Sequence, residues 1–262
     1  MTTAAETVRV LHITDTHLFA EADGSLRGTN TNTTLTAVLQ HLRAARWPAE
    51  LIAMTGDLIQ DDTRGAYQNF CQHFGSLGLP VLCVPGNHDI RNLMREALSA
   101  APYRYCGTHR QHDWFIVGID SCKKGSAGGA VSAAELDRLR NLVENTDAQH
   151  VLVCLHHPPL LVGTAWLDTV GLENGEAFLD ALAAMKKVRG CLFGHVHQNF
   201  DHVHDGMRIL GTPSTCRQFL PGSDNFALDD RPPAYRRVEL RPDGSIAEEL
   251  LWVPAKSQEK IA

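Results

Sequence analysis

Five short apolar runs in this chain each stop at a side chain able to bind a metal ion. The stops read Asp15-x-His17, Gly56-Asp57, Gly86-Asn87-His88-Asp89, His156-His157 and Gly194-His195-x-His197. One such ending would mean little, because strands often stop at polar residues. Five endings that carry only carboxylate, imidazole and amide groups require a fold that delivers five strand ends to one place. They point to one shared site for two metal ions.

The runs themselves read as strands. Residues 8–14, 51–55, 80–84, 151–155 and 188–193 are short, apolar and rich in β-branched side chains. Between them the period changes. Leu35, Val38, Leu39, Leu42 and Ala45 fall at helical spacing over residues 31–46, with Trp47-Pro48 as the stop. Further helices are predicted over about 63–77, 90–99 and 174–187. A buried strand is predicted at 114–120, and Ser132 with Glu135 reads as a capping box opening a helix to about residue 145. The C-terminal third is strand-rich, with runs at 207–210, 235–240 and 248–253 between Pro-, Gly- and Asp-rich turns. This succession predicts an α/β fold, a four-layer α/β/β/α sandwich of two mixed sheets flanked by helices. No linker divides the chain. Residues 1–254 read as one domain, with about 205–254 completing the second sheet and the substrate pocket, and 255–262 as a flexible tail.

Composition narrows the function classes. A formal charge of -6 argues against a nucleic-acid polymer as partner, although bound cations can reverse the local field for a small anion. No apolar run approaches the ~18–20 residues that span a bilayer, and residues 1–7 do not read as a signal peptide, so no membrane partner is expected. Seven cysteines without a CxxC fit reduced thiols and a cytoplasmic protein.

The donor chemistry is more specific. Carboxylate and amide oxygens with several imidazoles, and no thiolate, suit iron, manganese or zinc better than a structural zinc site, with magnesium also compatible. Asp15, His17, Asp57, Asn87, His156, His195 and His197 are too many ligands for one ion. Two divalent ions about 3.5–4 Å apart, sharing a carboxylate, would use them all. Two such ions against Asp15 and Asp57 leave a positive site, attractive to a phosphodiester. In extended backbone the i, i+2 pairs Asp15/His17 and His195/His197 would each face one side, and glycines at 56, 86 and 194 would let the chain turn before a ligand.

The ordered set D-x-H, G-D, G-N-H-D, H and G-H-x-H at these positions resembles the calcineurin-like metallophosphoesterases, with no member missing. Three further stretches are similar to the bacterial class III cyclic AMP phosphodiesterases. They are residues 13–19 (Ile-Thr-Asp-Thr-His-Leu-Phe), residues 212–216 (Thr-Pro-Ser-Thr-Cys) followed by Gln218-Phe219, and residues 225–229 leading to Pro233-Ala234-Tyr235-Arg236. The resemblance spans about residues 8–253. It implies that Asp15, His17 and His197 hold a first ion, that Asp57 bridges, and that Asn87, His156 and His195 hold a second. For His88 it implies contact with the phosphate and protonation of the leaving O3′, work worth about 10²–10⁴-fold, with Asn87 also against the substrate. Either His156 or His157 could be the ligand; the first stands directly at the strand end and is favoured.

The implied reaction is hydrolysis of 3′,5′-cyclic AMP to 5′-AMP by a metal-bridging hydroxide, in a monomer or homodimer acting on a small molecule. Glycerophosphodiesters, 2′,3′-cyclic nucleotides or phosphomonoesters are the alternative substrates. A non-catalytic scaffold would be expected to have lost ligands, and none is lost. Outside the set, His12 reads as a core histidine or one that supports the ligands from behind, Asp89 as a group behind the ligands or a cap, and Asp120 as structural. His202-x-His204 reads as solvated surface, and Arg236-Arg237 as a solvent-facing strand edge.

Overall fold

The computed structural model describes residues 6–254, so the predicted tail at 255–262 lies outside it. In chain order the elements begin β1 (Val8–Ile13), β2 (Ser25–Leu26), β3 (Thr29–Asn30), α1 (Thr31–Ala45), β4 (Leu51–Met54), α2 (Arg64–Gly75), β5 (Val81–Cys83) and α3 (Arg91–Ala97). They continue with β6 (Tyr103–Tyr105), β7 (Thr108–Gln111), β8 (Trp114–Gly118), α4 (Ala133–Asn145), β9 (His150–Cys154), α5 (Ala165–Asp168), α6 (Gly175–Ala184) and β10 (Val188–Phe193). The last are β11 (Phe200–His204), β12 (Met207–Gly211), β13 (Gln218–Phe219), β14 (Leu228–Asp229), β15 (Ala234–Leu240) and β16 (Ile246–Trp252).

Twelve of these strands form two six-stranded mixed sheets, β16-β15-β1-β4-β5-β6 and β11-β12-β10-β9-β8-β7, and the other four pair as β2-β3 and β13-β14. The central strands of each run parallel. Their alternation sorts the core into layers. Val8, Val10, Leu51, Ala53, Leu82 and Val84 face Trp114, Ile116, Leu152, Cys154 and Leu192 between the sheets. Leu11, Ile13, Ile52 and Met54 face the other way, onto Leu35, Val38 and Leu39 of α1 and Phe70 and Phe74 of α2. On the far side of the second sheet, Val151, Val153 and Cys191 pack on Leu139 of α4 and Phe178 and Leu182 of α6. The four-layer α/β/β/α arrangement is therefore borne out.

Besides the two-residue strands β2, β3, β13 and β14, three strands had no clear sequence signal. β6, β7 and β11 have sequences YRY, THRQ and FDHVH, in which polar residues break the apolar pattern. β6, β7 and β11 lie at sheet edges, where one side needs no partner strand. The capping box at α4 is half formed. Ser132 Oγ accepts from Glu135 N, but the Glu135 carboxylate turns to Asp120 N and Arg138.

Arg236 overturns the surface reading of its pair. β15 lies between β1 and β16, and Arg236 points between the two sheets with 1% exposure. Its guanidinium pairs with Glu248 and donates to Asn199 Oδ1 (2.6 Å) and Gly211 O (2.9 Å). Arg237 pairs with Glu249 at 3.0 Å. The run of alternating charge hid a buried cation, because sequence does not show which strand covers which.

His12 shares this polar seam. Its Nε2 meets Thr55 Oγ1 at 2.8 Å and its Nδ1 meets Thr212 Oγ1 at 2.7 Å. Burial, with Arg236 nearby, pushes its pKa down to about 3. The unfolded ring titrates near its ordinary value of about 6.5, so between those limits the unfolded chain binds the extra proton and stability falls as pH falls. Full stability from this group is present above about pH 6.5, and roughly 1.4 kcal/mol is lost per pH unit below it. Urea unfolding of the metal-free protein between pH 6 and 4 should therefore show a slope shallower by about one proton in His12→Gln. An unchanged slope would mean the ring is already charged in the folded protein.

Candidate metal centre and active site

The five motif ends converge. Asp15 and His17 follow β1, Asp57 follows β4, Asn87 and His88 follow β5, His156 follows β9, and His195 and His197 follow β10. All lie beyond the carboxyl ends of parallel strands, where open α/β sheets gather their sites. Backbone hydrogen bonds lace the loops together: Asp15 N to Gly56 O (3.0 Å), His17 N to Asp57 O (3.0 Å) and Gly194 N to His156 O (3.1 Å).

The geometry that aims the side chains differs from the extended pairs expected. Asp15, His17, Asp57, His195 and His197 all have left-handed backbone, with φ of 53°, 44°, 50°, 70° and 50°. Asp and His tolerate this region better than most residues. Of the three motif glycines only Gly56 turns the chain, at φ 94°. Gly86 and Gly194 serve instead by having no side chain, since a Cβ would fall on Asp57 Oδ1 or on Thr14 Oγ1.

Ring orientation follows from a consistent pattern. His17 Nδ1 faces Gln60 Oε1 (2.8 Å), His156 Nδ1 faces Thr55 O (2.7 Å), and His197 Nδ1 faces Arg217 O (2.5 Å). Each of these nitrogens donates to an oxygen, which leaves each Nε2 turned inward, the arrangement of metal-binding imidazoles. His17 Nε2 and His197 Nε2 then stand 3.1 Å apart. Asn87 Oδ1, His156 Nε2 and His195 Nδ1 form a triangle with edges of 3.0, 3.1 and 3.2 Å. Two ligands at right angles, each about 2.1 Å from an ion, stand about 3.0 Å apart. The residues therefore fit two cations. Asp57 Oδ2 lies between the groups, 3.7 Å from His17 Nε2 and 3.4 Å from His156 Nε2. Asp15 Oδ1 is 3.4 Å from His197 Nε2.

Electrostatics agree. Burial would lower the His156 pKa, but Asp57 overrides it and pushes the ring up to about 9, so a proton stands where a cation fits. Burial would raise Asp57, yet His156 and His17 hold its carboxyl well below the usual range. Burial, against the pull of Asp57, pushes His17 down to about 4, and burial with His156 beside it pushes His195 down to about 3. Both rings are thus neutral donors at pH 7.

His157 lies close to His156 and His195 but both its nitrogens are engaged. Nδ1 meets Ser121 Oγ at 2.9 Å and Nε2 meets Ala127 O at 3.1 Å. Cys216 lies near His17 and His197, and burial pushes its thiol up to about 12, so it is protonated. Asp89 accepts from Gly86 N, Leu58 N and Tyr67 Oη, which ties the Asp57 and Asn87 loops together from behind. Asp120 pairs with Arg91 at 3.2 Å, away from the cluster.

Gln60 was missed from sequence. Its Oε1 accepts from His17 while its Nε2 donates to His88 Nδ1 at 3.3 Å, so one amide orients two rings. A lone Gln three residues after an Asp carries no signal of such a role. The cleft above the cluster has a volume of about 360 Å³. Besides the histidines it is lined by Gln60 and by Arg27, Trp166, Arg217, Phe219 and Phe226.

Comparison with known proteins follows this geometry. The sequence profile of the calcineurin-like phosphoesterases matches residues 8–199. The 3′,5′-cyclic adenosine monophosphate phosphodiesterase CpdA of Escherichia coli strain K12 is 39% identical over 246 residues, covering 93% of this chain and 89% of that protein. A 3′,5′-cyclic-nucleotide phosphodiesterase of Nostoc is 32% identical, covering 94% and 93%. Among solved structures, a dimetal phosphatase from Danio rerio superposes with a TM-score of 0.66 at 17% identity, covering 94% of this chain and 99% of that one. That last likeness concerns the fold.

Proposed function

The chain belongs to the calcineurin-like phosphoesterase family, and from that premise we propose that it hydrolyses 3′,5′-cyclic AMP to 5′-AMP at the cluster around Asp57. The observation that carries the chemistry is the meeting of two donor groups at one carboxylate. The substrate rests on the relatives named for cyclic nucleotides, whose likeness is too long to stop at residue 199.

In this reading Asp15, His17 and His197 would hold one divalent ion and Asn87, His156 and His195 the other, with Asp57 available to both. The ions would supply Lewis acidity and a nucleophile available at neutral pH. His156 rather than His157 is the ligand, because its Nε2 faces Asn87 and His195 while both nitrogens of His157 are turned to Ser121 and Ala127. Asn87 would serve both the second ion and the phosphate. His88 is the general acid: its Nδ1 accepts from Gln60 Nε2, so its proton is on Nε2, and its backbone N–H is fixed by Asp57 Oδ1 at 2.8 Å. Residue by residue, the chain binds the phosphate, orients the rings and places one proton for the leaving O3′.

His88→Ala should keep two metal equivalents and lower kcat about 10²–10⁴-fold. Metal analysis beside the kinetics checks this, and loss of metal would contradict the role. A substrate panel on metal-reconstituted protein tests the reaction itself. Cyclic AMP turnover no faster than that of a generic aryl phosphodiester would sink the specificity.

A further inference from the structure

The apolar wall of the cleft has no part in the chemistry described so far. Trp166 of α5, Phe219 of β13 and Phe226 of the loop between β13 and β14 meet edge to face, with ring centroids 5.1, 5.3 and 5.5 Å apart. Phe219 also stacks on His197 at 4.2 Å with 14° between the planes, so this corner begins directly behind a candidate ion ligand. Aromatic clusters usually withdraw from water. Here Phe226 is 44% exposed, in a connection outside any helix or strand.

Charge narrows what could cover these rings. Asp57 is the carboxylate among the lining residues, and it is committed to the cluster. The lining also carries two guanidinium groups. Arg27 Cζ lies 4.8 Å from the Phe226 centroid, and Arg217 reaches its carboxylate neighbour, the exposed Asp230, at only 3.9 Å. A cationic head group such as choline would meet two fixed positive charges. A neutral, planar, π-rich group would stack on the rings and meet no repulsion.

We infer that Trp166, Phe219 and Phe226 form the base subsite, which stacks the nucleobase of a nucleotide whose phosphate lies at Asp57. This assignment rests on the phosphodiesterase reading above. It makes the three rings specificity determinants rather than parts of the reaction.

Phe226 is the residue to change, because its exposed loop supports none of the core. In Phe226→Ala the preference in kcat/KM for cyclic AMP over a methyl riboside 3′,5′-cyclic phosphate, which lacks the base, should fall about ten- to hundredfold. The fall should come through KM, with metal content unchanged. Equal losses on both substrates would overturn the subsite, as would a wild type that prefers glycerophosphocholine to cyclic AMP. A second readout needs no turnover. With metal-loaded protein, 5′-AMP but not ribose 5-phosphate should quench a fluorescence component that Trp166→Phe removes. A quench that survives Trp166→Phe, or none at all, also overturns it. A wild type that fails to turn over cyclic AMP yet shows the Trp166-dependent quench loses the proposed reaction and keeps the base subsite.

Discussion

Asp57→Asn is expected to abolish tight binding of both ions and to lower kcat/KM by about a thousandfold or more. Removing a single electrostatic donor from an active site typically costs about 10²–10³ in rate. Asp57 Oδ2 faces His17 Nε2 and His156 Nε2 together, so its loss weakens two ion sites at once. Asn is the right replacement because it tolerates the left-handed backbone at φ 50° and its Oδ1 can still accept from His88 N. The metal-free variant should unfold at a lower urea concentration than the metal-free parent at pH 7, since the folded chain holds Asp57 and His156 as a charged pair and the substitution breaks it. Elemental analysis after reconstitution, read beside kcat/KM, decides the matter. Two equivalents of metal and turnover within about tenfold of wild type would remove Asp57 from the shared position.

Arg236→Met should cost about 3 kcal/mol of folding stability, near the low end of what breaking a buried ion pair costs. The discount comes from Glu248, which keeps Arg208 within 3.4 Å and has 17% of its side chain exposed. What Arg236→Met strands is Gly211 O and Asn199 Oδ1, which lose their donor between the sheets. For a chain of this size the loss should lower Tm by about 6–12 °C. The metals should still bind with unchanged stoichiometry, because Arg236 touches none of the candidate ligands. Calorimetry on Arg236→Met, with Arg236→Met/Glu248→Leu alongside, separates pair breaking from packing. The double variant should recover most of the loss, since a buried pair exchanged as a whole for apolar groups is often close to neutral. A Tm change under about 2 °C in the single variant would show that water already reaches the guanidinium.

The sequence was informative where chemistry and periodicity coincide. The apolar runs marked the parallel strands, since strands covered on both faces have few other compositions open to them. The candidate ligands at their tips followed from position alone, because the carboxyl ends of such strands meet. The aim of those ligands was not legible. Alternation along an extended chain predicted a shared direction for Asp15 and His17, and the structure reaches that result through left-handed turns instead. Gln60 and Arg236 were opaque for a different reason. Both act through partners more than 20 residues away (His88 for one, Asn199 for the other), and nothing local distinguishes a bridging amide or a buried guanidinium from a solvated one.

The left-handed residues restrict which motif spellings are open to this chain. A candidate donor at position 15, 17, 57, 195 or 197 must offer a metal-binding atom and also tolerate a positive φ. Asp, Asn and His satisfy both demands. Glu and Cys offer suitable donor atoms but meet the backbone at a cost of order 1–3 kcal/mol for each such position. A drift from Asp to Glu at position 15 or 57 would thus be opposed by chain geometry before coordination is considered. The alphabet of the motif is narrower than that of metal ligands in general, and the handedness of five residues is what narrows it.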